Sequence, residues 1–223
     1  MIWNFPNILT VLRLLAAPGV AVMFLYFNRP YADWFALLLF TGAALTDFLD
    51  GYLARAWKQE SKFGAMLDPI ADKAMVIIAL LVISGLFEMH AWILLPAVII
   101  MFREVFVSGL REFLGDKSSL LKVTRIAKWK TTAQMVAIAV LFSYGAFEHY
   151  FGMQSYGMDQ QIVSDVLSGA SEDFVGLGWK YRGMMISYYG GVGLLWVASL
   201  LTLLSGWDYF AKALPMLRED PAE

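Results

Sequence analysis

Residues 47–73 read DFLDGYLARAWKQESKFGAMLDPIADK, and four carboxylates punctuate them: Asp47, Asp50, Asp68 and Asp72. Asp47 and Asp50 are spaced i, i+3; Asp68 and Asp72 are spaced i, i+4. On a helix each pair projects from one face. Two such helices facing each other would bring four carboxylates to one point. Four anions cannot stay ionised together in a low-dielectric site unless cations neutralise them. Hard divalent cations that take oxygen ligands, Mg2+ or Mn2+, suit that task. Gly51 follows the first pair and Gly64 precedes the second, where a missing side chain lets backbone or ligand approach closely. Arg55 offers a fixed positive fork for a phosphate.

The flanking sequence sets the environment of those acids. Of the 223 residues, 59% are hydrophobic and 16% charged, against roughly 25% charged in a soluble domain. The chain therefore reads as an integral membrane protein, one domain over residues 1–223. Apolar runs fall at 11–27, 34–49, 70–87, 92–107, 130–150 and 184–204. Each approaches the ~20 residues that cross a bilayer as a helix, which predicts an all-α bundle of six transmembrane helices. Asp47 and Asp50 close the second run and Asp68 and Asp72 open the third, so both pairs lie near one membrane face. Pro69 suits the first turn of that third helix. Residues 152–182, weakly acidic with Gly, Ser and Asp, read as an extramembrane loop. The absence of cysteine excludes disulfides, a thiolate nucleophile and Cys-ligated zinc. His90 and His149 lie in or beside short connections and read as interfacial polar residues rather than ligands. No cleavable signal peptide is expected, since residues 1–7 lack a basic start.

Charge orients the chain. All of the 17 Lys and Arg residues except Arg29, Lys180 and Arg182 fall on the side that holds the termini and the four aspartates. The positive-inside rule makes that side cytoplasmic, where nucleotides are available, and puts residues 152–182 on the periplasmic side of an inner membrane. On the first run, Asn7, Thr10 and Arg13 are spaced i, i+3, i+6 and share the face that would look into the active site. Arg103, Arg111, Lys128 and Lys130 lie at the cytoplasmic ends of the fourth and fifth runs. Such bases commonly anchor a helix to anionic lipid heads. Arg103 is deeper in its run and costs more to keep there without a partner. Either Glu104 or Glu112 pairs with some of these bases, or the guanidiniums form a site for a phosphate dianion.

The order D-x-x-D-G-x-x-A-R-x8-G-x-x-x-D-x-x-x-D, from Asp47 to Asp72, resembles the motif of the CDP-alcohol phosphatidyltransferases with every position filled. It is far more specific than a lone acidic pair. The segments NFPNILTVLRL, REVFVSGLREFL, AKWKTTAQM and WDYFAKALP are similar to the branch of that family that joins CDP-diacylglycerol to sn-glycerol 3-phosphate, releasing CMP. The resemblance implies a six-helix membrane fold, a homodimer, membrane lipid as surroundings and two divalent cations, with no nucleic acid as partner. It implies that Asp47 and Asp68 bridge the two metals, that Asp50 binds one, and that Asp72 binds the other and acts as base. It further implies that Thr10, Arg13, Gly51, Arg55 and Ser61 lie against the CDP-lipid and that Arg103, Arg111, Lys128 and Lys130 hold the acceptor phosphate. Two departures stand out: Ala127 replaces a common glycine, and residues 152–182 form a longer loop than usual.

Other readings exist. A relative with another acceptor, such as inositol phosphate, would use the same basic cluster. A divalent-cation transporter would place its acids near the midplane, often within discontinuous helices, rather than at helix ends beside Arg55. A structural scaffold would leave the ordered motif unexplained. The orientation is directly testable because no native cysteine interferes. With cysteine placed at Ser61 or Ser168, an impermeant thiol reagent added to intact cells should label position 168 and spare position 61. The reverse pattern rejects the assigned topology.

Overall fold

The structure, a computed structural model, describes residues 5–57, 61–115 and 125–217, with side chains placed except at 6, 47–57, 125–128 and 217. Every regular element among them is helical: α1 (Phe5–Tyr26), α2 (Tyr31–Trp57), α3 (Lys62–Leu86), α4 (Ala91–Leu114), α5 (Arg125–Ser155), α6 (Gln160–Ser168), α7 (Leu177–Met185) and α8 (Gly191–Leu217). A π-helical turn, Ile186–Gly190, joins α7 to α8. Four stretches are long and apolar enough to cross a bilayer: Asn7–Tyr26, Lys62–Leu86, Ala91–Leu114 and Leu177–Met216. A fifth, Tyr31–Thr46, is apolar but shorter. The protein is thus an all-α, multi-pass membrane protein, as its composition requires.

The helices outrun the apolar runs that announce them. The second run ends at 49, yet α2 continues to Trp57 and takes Asp47, Asp50, Gly51 and Arg55 into its body. The third run opens at 70, yet α3 starts at Lys62. Its start is fixed by Ser61, whose Oγ accepts the backbone N–H of Gly64 at 2.9 Å, a hydroxyl N-cap. Pro69 therefore lies inside α3 rather than in its first turn, and supplies no N–H to the carbonyl of Ala65. Hydropathy marks only the lipid-facing length of a helix, whereas caps and backbone hydrogen bonds set its ends.

By compactness the chain divides into two units. The first comprises residues 1–83 and 138–191. Here α1 and α2 pack through small side chains, with Ala17, Val20, Ala32, Ala36 and Ala43 buried. Lipid provides no hydrophobic drive between helices, so close backbone approach and dispersion must hold them. Phe142 of α5 stacks on Phe24 at 6.2 Å between centroids and tilts against Phe40 at 5.9 Å. At the α1–α2 turn, Arg29 pairs with Glu148 of α5 at 2.8 Å and with Asp33 of α2 at 3.5 Å, and Tyr144 donates to Glu148 at 3.0 Å. Asp33 is only 1% exposed. Gly145 makes room for it: a Cβ there would collide with the Asp33 carboxylate.

Residues 152–182, expected as a plain loop, are partly ordered. The segment contains the end of α5, all of α6 and the first part of α7. Asp173 organises the approach to α7 by accepting the backbone N–H groups of Leu177 at 2.7 Å and Gly178 at 2.8 Å. Those bonds, Gly178 first, hold its carboxyl below the usual carboxylate range. Gly176 completes the turn at φ +69°, a left-handed conformation that costs glycine little.

The second unit comprises residues 84–137 and 192–223. Ile93, Ala97 and Ile100 form the buried stripe of α4, and Leu195 and Ala198 that of α8. Trp196 donates its indole N–H to the carbonyl of Trp92 at 2.9 Å, and their rings meet edge to face. Val107, Leu114, Tyr209 and Ala213 close the core nearer the helix ends. The close passage at Gly145 generates a prediction for the first unit. Gly145→Ala should force Asp33 or α5 to shift and cost roughly 1–3 kcal/mol, read as a lower thermal unfolding midpoint of the detergent-solubilised protein. An unchanged midpoint would show that α5 tolerates the extra methyl.

Candidate active site

Two helices of the first unit meet through polar side chains. Asn7, Thr10 and Arg13 of α1 are 3%, 2% and 3% exposed, so the i, i+3, i+6 face of α1 is turned inward. Thr10 Oγ1 donates to Asp68 Oδ1 at 2.6 Å, and Arg13 Nη1 donates to Asp72 Oδ1 at 3.0 Å. Ser61 Oγ donates to Asn7 Oδ1 at 2.8 Å. The α1 positions 7, 10 and 13 thus meet 61, 68 and 72 in the same order, so α1 and α3 run in the same direction. Two helices separated by a single return helix do this. Gly64 explains how they come so close: a Cβ at that position would lie 2.7 Å from Asn7 Oδ1. The motif's second glycine therefore admits a side chain of α1.

These contacts place the sequence candidates. Thr10, Arg13, Ser61, Asp68 and Asp72 are brought together. Helix α2 carries positions 47, 50, 51 and 55, but the side chains of Asp47, Asp50 and Arg55 lie outside the described residues. Among the described residues no group of three or more His, Cys, Asp or Glu is placed to hold a metal. What is described still suits a hard cation. Asp68 and Asp72 present carboxylate oxygens one turn apart, and the Asp72 side chain is 49% exposed, open to a ligand. Asn7 was visible in the sequence as a member of the α1 face, but its partnership with Ser61 was not.

The basic candidates belong to the second unit. Arg103 Nη1 donates to Glu104 Oε1 at 3.2 Å, and Lys130 Nζ donates to the same oxygen. All three side chains are nearly buried, at 10%, 11% and 7% exposure. Glu104 is thus the shared anion of the cluster, one of the two partners the sequence offered. Arg103 also lies over the Tyr209 ring at 5.6 Å, a cation–π contact. Its stem packs where Gly206 of α8 has no side chain; a Cβ there would come within 3.0 Å of Arg103 Cγ. Arg103 Nε is buried and has no hydrogen-bond partner among the described residues. Among the described residues, both cations converge on this one carboxylate oxygen of Glu104. Arg111, in contrast, is exposed in the last turn of α4, where positive charge favours the helix end. The Lys128 side chain lies outside the described residues.

Residues 3–158 match the family described as CDP-alcohol phosphatidyltransferase. A protein of Cereibacter sphaeroides named CDP-diacylglycerol--glycerol-3-phosphate 3-phosphatidyltransferase is 61% identical over 220 residues, covering 99% of this chain and 100% of its own. Proteins of the same name from Haemophilus influenzae and Escherichia coli K12 are 43% and 42% identical over 216 residues. Each match covers 96% of this chain, and 95% and 96% of the respective relative.

The shared anion of the basic cluster leads to a stability prediction. Glu104→Gln should leave Arg103 and Lys130 with less countercharge inside the bundle and destabilise the protein by roughly 3 kcal/mol, the scale for removing one partner of a buried ion pair. Thermal unfolding in detergent measures it. Adding inorganic phosphate should recover part of the loss if the two bases can hold an anion in its place.

Proposed function

This chain belongs to the CDP-alcohol phosphatidyltransferase family, and we propose that it transfers a phosphatidyl group from CDP-diacylglycerol to sn-glycerol 3-phosphate, giving phosphatidylglycerophosphate and CMP. The observation that carries this reading is the acidic turn of α3 engaged by α1, found in a chain whose full-length relatives bear that activity in their names. Asp47, Asp50, Asp68 and Asp72 would hold two divalent cations, Mg2+ or Mn2+, which when bound neutralise charge on the diphosphate and on the leaving CMP.

The residues then divide the work. Thr10 and Arg13, with Gly51, Arg55 and Ser61, line the place of the CDP-lipid. Arg103 and Lys130, with Arg111 and Lys128, hold the acceptor phosphate. Asp72 accepts the proton of the acceptor hydroxyl as that oxygen attacks the β-phosphorus, and the bond to the CMP oxygen breaks. Holding both substrates in line converts a bimolecular encounter into a positioned one. Residues 152–182 and both termini face opposite sides of an inner membrane, with the site on the cytoplasmic side, a placement supported by the Lys and Arg bias. A sixth span formed by α5 is supported by its 31 residues, which at about 1.5 Å each exceed a ~30 Å hydrocarbon layer.

Saturation curves in mixed micelles test the division of labour. Arg103→Ala should weaken sn-glycerol 3-phosphate about 10- to 150-fold, the value of a charge-assisted bond of roughly 1.5–3 kcal/mol, and leave CDP-diacylglycerol nearly unchanged. Arg55→Ala should do the reverse. Equal losses for both substrates would make Arg103 structural, and full turnover in chelator-treated protein would remove the cations from the scheme.

A further inference from the structure

Between α4 and α8 of the second unit lies a groove of about 450 Å3, a volume within the range of single-ligand sites. The two helices run in the same direction, since Trp92 meets Trp196, Arg103 meets Gly206 and Phe106 meets Phe210 in that order. Phe102, Phe106, Leu203, Leu204, Trp207 and Phe210 form apolar walls. Among the described residues that line the groove, Arg103 carries the one charge. It is 9% exposed, its Nη1 donates to Glu104, and its buried Nε has no hydrogen-bond partner among the described residues. Gly206, which also lines the groove, would carry a Cβ 3.7 Å from that Nε, so a side chain here would wall the guanidinium off. Depth follows from the neighbours. Trp207 is exposed, and an indole on a membrane helix settles at the lipid–water interface. Asp208 and Lys212, paired at 2.6 Å and partly exposed, mark water one turn on. The guanidinium therefore lies at the depth of phospholipid headgroups, with Leu203 and Leu204 about a turn deeper.

We propose that this groove binds one anionic phospholipid of the bilayer, its phosphate on Arg103 Nε and one acyl chain along Phe102, Leu203 and Leu204. The apolar walls suit a chain, but every bilayer lipid offers chains, so the walls alone give no preference. Preference comes from charge. A guanidinium between apolar walls takes a phosphate through charge-assisted bonds. Among the described residues no carboxylate lines the groove, so the ammonium of a zwitterionic headgroup finds no partner there, whereas an anionic headgroup needs none. The site stands without the proposed reaction. One consequence does rest on that reading: if Arg103 also holds the acceptor phosphate, an anionic lipid, the charge class of the product, competes for the same guanidinium.

Trp207 reports the site by fluorescence, taken as the difference between the wild type and Trp207→Phe, each as full chain in phosphatidylcholine vesicles. Brominated phosphatidylglycerol should quench that difference at a mole fraction roughly 10-fold lower than brominated phosphatidylcholine of the same chains, near the scale of one charge-assisted bond. Arg103→Gln should abolish the preference and leave the two lipids equal. Equal quenching in the wild type means ordinary boundary lipid and overturns the proposal, as does a preference that survives Arg103→Gln. No quenching by either lipid means that protein, such as a second copy of this chain, covers the groove, and overturns it too. If Arg103→Gln does not fold, Phe102→Ala, at an exposed wall position, decides in its place. The midpoint for brominated phosphatidylglycerol should then rise about 3-fold through lost chain contacts, and an unchanged midpoint overturns the proposal. The readout needs no turnover, so failure of the proposed reaction in a separate assay leaves this result to be judged by itself.

Discussion

A carboxylate inside a membrane bundle must be given a partner, and in this protein α1 supplies it. The Thr10–Asp68 and Arg13–Asp72 bonds join α1 to α3 where an apolar seam would offer little specificity. Lipid is as apolar as leucine, so helices in a bilayer gain register from polar pairs and close backbone contact more than from burial. The first unit uses both devices together. Gly64 brings α1 near enough for Asn7 to reach Ser61, and Ser61 in turn fixes the first turn of α3. The acidic turn is thereby held by neutral donors and small residues as well as by Arg13, which brings opposite charge to Asp72.

The second unit meets the opposite requirement, that of burying cations. Glu104 accepts from both Arg103 and Lys130, and Tyr209 covers the guanidinium of Arg103. Glu104 thereby gives both bases a carboxylate partner inside the bundle. Desolvated cations without any anion would cost too much in the free protein.

Much of this was legible in the sequence, for reasons that differ by feature. The inward face of α1 could be read because a three-residue polar period stands out in an apolar helix. Glu104 was one of two candidates, Glu104 standing next to Arg103 and Glu112 next to Arg111, and sequence alone could not choose between them. The helix ends were not legible. Apolar runs stop where lipid stops, whereas α2 and α3 continue through Asp47, Asp50 and Lys62 on backbone hydrogen bonds and the Ser61 cap. The α6 helix and the Asp173 turn were hidden within a polar stretch that carries no strong period. The Arg29–Glu148 pair spans a separation of 119 residues, a contact that no local pattern announces.

That last pair has a consequence for how this protein can vary over time. The α1 helix is referenced at one end by Thr10 and Arg13 against α3, and just past its other end by Arg29 against Glu148 of α5. Inserting one residue between Arg13 and Arg29 would turn one end relative to the other by about 100° and advance it by about 1.5 Å. Either the acidic turn or the α5 brace would then lose its partner. Substitutions on the lipid-facing side of α1, at exposed positions such as Leu15 and Leu25, meet no such constraint. The length of this helix is therefore expected to be inherited more strictly than its composition, so that lineages diverge here by exchange of apolar residues and not by gain or loss of them.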